Sequence, residues 1–455
     1  MSVACSVNVP ASATTCRPAM LNRGNGAMTL AIRYAGSGGL FLCQILLMRC
    51  LGVSGFGEYA LAIAWLHILT SFAKLGLENT SLRYASEYVT HGRIDLLRSF
   101  NRDSTRAVAI SSLLLMAGVL FTVVLYRSEI GESLSYCMMA SALMIPLISI
   151  RHIQETRLRA VGRLFESQIA TAIWPFMLLA FVGIAWPLSS FEVSSSTATT
   201  IHLIATAGVA LLVYSYRHYI PNGAMATAAN KSLRSQWSKT ALLFLVAEIL
   251  IVLKSRGCVV AAGMLLDSKS AGLYYAMEKF ASVSILASQS LGNVIAPQFA
   301  SLYAARRFHE MRRLMWNGQL IGLSFTVPVV LIVGLFGDQL LTFVGPHYRE
   351  GLTVLLLLLT STCIASFSGP AVFALQMTGC ERAVMWITAA CAVTNIAMSV
   401  LLMQSYGVTG LGMAQVATSL VWTIGTHWCL RQHPAFQRVE TDAAAVNFVQ
   451  PEVAA

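Results

Sequence analysis

Charge is scarce in this sequence. Only 11% of the 455 residues are charged, while 56% are hydrophobic, and mean hydropathy is +0.66. A soluble domain carries roughly 25% charged residues. The deficit runs along the whole chain, which excludes a soluble enzyme held by one anchor. Other absences narrow the field further. The ten cysteines form no CxxC pair, so neither a zinc site nor a disulfide framework is implied. The first 26 residues lack the apolar core of a cleaved signal peptide and are expected to be a cytoplasmic tail. No GxxxxGK[ST] loop is present to bind a nucleotide. No segment between apolar runs is long enough for an extramembrane catalytic domain, the longest outside loop being 187–198.

What is present is a series of apolar runs, each near the ~20 residues that a helix needs to cross hydrocarbon. Twelve are expected: 28–50, 57–79, 106–126, 133–151, 166–188, 199–216, 239–263, 270–296, 317–337, 351–376, 384–405 and 409–430. The fold class is therefore an all-α polytopic membrane protein. The formal charge is +11, from 31 Lys plus Arg against 20 Asp plus Glu. With twelve spans and the N-terminus inside, 22 of the 31 basic residues fall in cytoplasmic segments and 3 in outside loops. That asymmetry is the positive-inside bias, and it accounts for the basic surplus without nucleic acid. The expected localisation is a membrane crossed many times, with both termini cytoplasmic.

The chain repeats itself at an offset of 215. Gly57 and Tyr59 pair with Gly272 and Tyr274, and Tyr84-Ala-Ser-Glu-Tyr88 pairs with Phe299-Ala-Ser-Leu-Tyr303. Six spans separate the copies, so both halves insert in the same direction, as in a parallel repeat about the membrane normal. The expected layout is a tail (1–26), an N-lobe of six spans (27–216), a linker (217–238), a C-lobe of six spans (239–430) and a second tail (431–455).

The stretches GFGEYALAIAW…LGLENTSLRYASEYVTHGRIDLLR and SAGLYYAMEKFASVSIL…IAPQFASLYAARRFHEMRRL carry a family resemblance. They resemble the signature regions of Wzx-like bacterial polysaccharide biosynthesis flippases of the multidrug/oligosaccharidyl-lipid/polysaccharide (MOP) superfamily, over about 27–430. The resemblance implies a V-shaped, two-lobed (MATE/MOP-like) bundle. It would move an undecaprenyl-pyrophosphate-linked oligosaccharide across the inner membrane for exopolysaccharide, capsule or O-antigen synthesis. Membrane lipids, and the polymerase and chain-length proteins of the same pathway, are the partners that this implies. No cofactor is expected. Coupling would come from an H+ or Na+ gradient, the membrane potential or removal of product.

Ionisable residues inside spans are costly and usually serve function. Arg33, Ser37 and Gln44 share one face of the first span, with Leu40 among them, and are expected on the substrate path. The repeat carries Arg33 onto Glu248, which suggests that these two close a gate; a static pair that only fixes lobe packing is the other reading. Arg256 is the better cavity candidate of the two cations in span seven, the other being Lys254. Lys279 lies near mid-membrane, with Glu278 as its expected partner or as a proton carrier. Lys74 and Glu78 read as a local i,i+4 ion pair. The path set is thus Arg33, Ser37, Gln44, Arg256 and Lys279, with Glu248 and Glu278 for gating or proton coupling. Tyr59, Tyr84, Tyr88, Tyr274, Tyr275 and Tyr303 read as interfacial aromatics. His67 reads as hydrogen-bonded to a nearby carbonyl.

Six basic residues inside spans (33, 49, 74, 254, 256, 279) face three acids (78, 248, 278), which suits an anionic cargo. The competing readings are an ion-coupled multidrug exporter, a membrane-embedded polymerase or glycosyltransferase, and a scaffold.

Overall fold

A computed structural model describes residues 23–188, 194–220, 231–433 and 436. All regular structure in it is helical. The helices are α1 (Arg23–Ala73), α2 (Leu77–Thr90), α3 (Ile94–Leu125), the short α4 (Arg127–Ile130), α5 (Glu132–Ala160), α6 (Leu164–Leu188), α7 (Ser195–Ser215), α8 (Lys231–Leu265), α9 (Ser268–Ala304), α10 (Phe308–Val344), α11 (Leu352–Met377), α12 (Glu381–Tyr406) and α13 (Val408–Gln432). Two 3-10 turns, Tyr216–Tyr219 and Pro346–Gly351, follow α7 and α10.

Helix α1 is two crossings. Gly52, at φ 64° and ψ −175°, breaks it into arms 23–51 and 53–73. Only a residue without Cβ adopts that backbone cheaply. Ser37 on the first arm and Glu78 beyond the second line the same cavity. A straight helix would hold them about 60 Å apart at 1.5 Å per residue, so the arms fold back on each other. Eight helices are long and apolar enough to cross a membrane by length and composition, α1 among them. Its second arm, with α6, α8 and α9, completes twelve crossings. Helices α8 and α9 carry the buried charges discussed below.

The repeat at offset 215 extends to the helix boundaries. Shifted by that amount, α3 would span 309–340 and α10 spans Phe308–Val344; α7 would span 410–430 and α13 spans Val408–Gln432. The break at Gly52 falls on Asp267, whose Oδ1 accepts from Ser270 N at 2.6 Å and caps α9. One departure stands out. The second arm of α1 stops at Ala73, and Leu75 and Gly76 have φ of 53° and 68° before α2 begins. The equivalent stretch of α9 runs on unbroken.

The lobes meet through α1 against α8 and α9, and through α2 against α8. At the Gly52 end the repeat-related glycines face each other. A Cβ on Gly57 would run into the carbonyl of Ser268, and one on Gly272 into the carbonyl of Val53. Val53 and Ser268 are themselves related by the offset, so this contact sits on the pseudo-twofold axis. Around it are Phe56, Tyr59, Tyr274 and Tyr275, all buried. The tyrosines expected at the membrane interface therefore include three, Tyr59, Tyr274 and Tyr275, that pack between the lobes. Tyr88 is also buried and accepts from Trp237 Nε1 at 2.9 Å.

Two further differences concern element ends. Helices α3 and α10 begin at Ile94 and Phe308, 12 and 9 residues before the expected spans, because their basic first turns are helical extensions outside the apolar stretch. Helix α8 begins at Lys231, inside the expected linker 217–238. Large apolar side chains such as Leu114, Phe121, Leu335 and Phe343 point outward, as lipid contact requires.

Candidate functional site

A cavity of 370 Å³ lies between the lobes, walled by both arms of α1 and by α5, α6, α7, α8 and α9. The second arm supplies a polar stripe, His67, Thr70 and Ser71, which Lys74 continues just past its end, and the 3–4 residue spacing keeps them on one side. His67 Nδ1 bonds to Ile63 O at 2.7 Å, so its other nitrogen is left toward the cavity. His202 Nδ1 bonds to the Tyr59 hydroxyl at 3.0 Å, and its ring lies 4.9 Å from that of Trp174.

The charges form a linked set. Lys74 Nζ donates to Glu78 Oε2 at 2.7 Å and also meets Glu248 Oε1. Glu78 belongs to the N-lobe and Glu248 to the C-lobe, so Lys74 bridges the lobes. Its expected role as only a local partner of Glu78 is thereby enlarged. Glu248 takes Lys74 as its ion-pair partner; the side chain of Arg33, the partner expected for it, lies outside the described residues. Glu78 also stands 3.6 Å from His152 and 3.6 Å from Arg159. Arg151 pairs with Glu155 at 2.9 Å. In the C-lobe, Arg256 pairs with Glu278 at 3.2 Å, whereas Lys279 is 4.0 Å from the same carboxylate. Arg256 is thus the closer partner of Glu278, in place of the expected Lys279. Lys279 instead sits 4.3 Å over the ring of Tyr275, a cation–π contact.

Of the expected path residues, Gln44, Arg256 and Lys279 line this cavity, together with Glu248. Gln44 is buried, and its Oε1 has no hydrogen-bond partner among the described residues. Ser37 lines a second cavity of 450 Å³ with Glu78, Glu155 and Arg159. Leu40, His152 and Trp174 belong to both cavities, which makes one polar passage running from the middle of the protein toward its basic end. Arg49 lies over Phe343 and Lys254 over Trp422, both outside the passage.

Sequence reasoning missed Arg151, His152, Trp174 and His202. Arg151 and His152 fell at or past the expected end of a span, where basic residues satisfy orientation. The stripe 67, 70, 71, 74 was legible by its spacing. Four cations (Lys74, Arg151, Arg256, Lys279) therefore line the inner cavity against one carboxylate, Glu248; Glu78 and Glu155 pair with Lys74 and Arg151 from the wall of the second cavity, and Glu278 pairs with Arg256. Among the described residues no group of His, Cys, Asp and Glu is arranged to hold a metal.

The MatE family model matches residues 244–401, from α8 into α12. No curated protein matches the chain in sequence. Solved structures do. An inward-facing multidrug resistance MATE transporter of the MOP superfamily aligns at TM-score 0.75 and 12% identity, over 91% of this chain and 98% of that one. The lipid II flippase MurJ, in an inward closed conformation, aligns at 0.70 and 10% identity, over 93% and 92%. An outward-facing MATE structure aligns at 0.57 and 12% identity, over 91% and 94%. The chain therefore has the two-lobed, twelve-helix fold of the MATE transporters and MurJ, the fold of the MOP superfamily.

Proposed function

We propose that the protein is a flippase that carries a pyrophosphate-linked lipid oligosaccharide through the passage between its lobes, across the bacterial inner membrane. It is a transporter and not an enzyme. One observation carries the reading: four cations and one carboxylate line the cavity. A pyrophosphate entering bare hydrocarbon would lose its hydration at a prohibitive cost. Arg151 and Arg256 offer bidentate donors and Lys74 and Lys279 offer point charges, which together replace that hydration. Lys279, at 4.0 Å from a carboxylate already held by Arg256, has the weakest compensation and is the strongest anion ligand of the set. The likeness to MurJ supports the lipid-linked class of cargo. Orientation follows from the arginine-rich helix ends, which face the cytoplasm, and pathway enzymes of the same glycan would be its partners.

Ion-coupled drug export is a second reading. It is favoured by Glu248 Oε2 and Glu278 Oε2, two buried carboxylate oxygens without hydrogen-bond partners among the described residues. The same oxygens would serve as proton carriers in the first reading.

The test uses purified protein in liposomes. Movement of a fluorescent, pyrophosphate-linked lipid oligosaccharide is compared with movement of a cationic rhodamine dye. Transfer of the lipid-linked sugar without dye transport is expected. Dye transport with no transfer of the sugar lipid would overturn the proposal in favour of the exporter.

A further inference from the structure

A second cationic site lies on the N-lobe, away from the passage. It is a cavity of 610 Å³ whose walls include Arg98, Arg102, Arg106, Arg157, Arg217 and His218. It sits on the opposite side of α5. The passage uses Arg151, His152, Glu155 and Arg159, while this cavity uses Gln154 and Arg157, centred roughly 145° around the helix at 100° per residue.

Arg157 anchors the site. It is 1% exposed and has no ion-pair partner among the described residues. Its guanidinium is held by neutral acceptors: Thr105 Oγ1 at 2.8 Å, Asn101 O at 2.8 Å and Ser104 Oγ at 2.7 Å. Its Nε is buried without a hydrogen-bond partner. Arg106 and Arg217 likewise pair with no acid among the described residues; Asp103 is shared by Arg102 at 3.6 Å and Arg234 at 3.0 Å. A buried cation without a counter-charge is destabilising unless something supplies one.

The repeat shows that the fold does not need it. Shifted by 215, Arg157 becomes Val372, Asn101 becomes Trp316, Thr105 becomes Leu320 and Arg106 becomes Ile321. The C-lobe keeps Arg313, Gln319 and His433 where the N-lobe has Arg98, Ser104 and His218, but it puts the apolar Val372 in place of the buried arginine. The N-lobe keeps a buried charge there at an energetic cost, which points to a ligand.

We propose that this cavity binds the phosphate headgroup of an anionic membrane lipid. The surface beside it has the anatomy of that molecule. Along α3, Arg106 is followed on the same side by Ile110 and Leu113, within about 40°, and both are exposed large apolar residues. Leu211 and Tyr214 on α7 are exposed in the same way. Arginines meet the headgroup at the basic end, and the apolar stripes below take the acyl chains. The site is independent of what the passage carries.

The experiment is native mass spectrometry and thermal unfolding of the detergent-purified full chain. The probes are phosphatidylglycerol, phosphatidylcholine and inorganic phosphate. The wild type is expected to retain phosphatidylglycerol in preference to phosphatidylcholine and to unfold at a higher temperature with it. The R102Q/R106Q variant, which alters partly exposed groups, is expected to bind it about 30-fold more weakly, as loss of two basic groups near a membrane surface implies. R157Q loses the preference as well. R312Q/R313Q, an equal charge loss at the basic end of the C-lobe, keeps it. Equal losses in R102Q/R106Q and R312Q/R313Q, or no loss in either, would overturn the site. Stabilisation by inorganic phosphate equal to that by phosphatidylglycerol would overturn the lipid assignment in favour of a soluble anion.

Discussion

At the scale of single residues, Lys74 carries the most weight. Its side chain is 8% exposed and stands between Glu78 and Glu248, whose side chain is 14% exposed. Removing one partner of a buried pair costs roughly 3–5 kcal/mol, whereas replacing both by apolar groups is often neutral. Lys74→Met is therefore expected to lower the unfolding temperature sharply, since it strands Glu248 and leaves Glu78 with His152 and Arg159 alone. Glu248→Gln should cost less, because Glu78 still holds the lysine. The Lys74→Met/Glu248→Met double variant should recover much of the stability but not the flux. Recovery of both would make the bridge structural only. A second comparison separates cavity cations from the rest. Lys279→Met is expected to abolish transfer of a pyrophosphate-linked lipid with little loss of protein, while Lys254→Met, whose ammonium lies 4.7 Å over Trp422 and outside the cavity, keeps transfer. Equal transfer by both variants would remove Lys279 from the path. The sequence marked Lys279 by its depth. It could not show that Glu248 meets Lys74, because Lys74 reaches the other lobe only after two helices have folded back.

At the scale of elements, the decisive contact is between the second arm of α1 and α9. Gly57 and Gly272 let two backbones approach at the pseudo-twofold axis. A methyl on Gly272 would overlap Val53 O and Gly57 N, and overpacking of this kind costs about 1–3 kcal/mol. Gly272→Ala should lower the unfolding temperature and slow transfer together. Gly257→Ala in α8, where a methyl meets nothing within 4 Å, should do neither. An unchanged Gly272→Ala protein would mean that the lobes are held elsewhere. The repeat that named Gly57 and Gly272 was readable as two short matches. That the two residues touch was not, because an offset relates positions without saying where the axis passes. The break at Leu75–Gly76 was signalled by Gly76 alone, and the repeat pointed the other way, since its partner stretch is unbroken helix.

At the scale of the whole molecule, the arginine-rich ends lie on one side and the Gly52, Gly131 and Gly407 turns on the other. In a functional background without native cysteines, a membrane-impermeant thiol reagent is expected to label Glu350→Cys in spheroplasts and to leave Glu310→Cys unlabelled until the membrane is opened. Both positions are exposed, at opposite ends of the bundle. The reverse pattern would invert the topology and with it the direction of transport.

Hydropathy and the basic asymmetry by themselves determined that the chain is a helical membrane protein with twelve crossings in two related halves. These are local properties: each span must satisfy its own backbone hydrogen bonds and hide its own polar groups from lipid. They also marked Gln44, Arg256, Lys279 and Glu248 as residues that lipid would not tolerate. Only the tertiary structure decided which charges meet. It left Arg49 and Lys254 outside the passage, brought Arg151 and three histidines into it, and seated a bare arginine on the far side of α5. A charge's partner depends on which helices are neighbours, and that is set by packing between segments hundreds of residues apart.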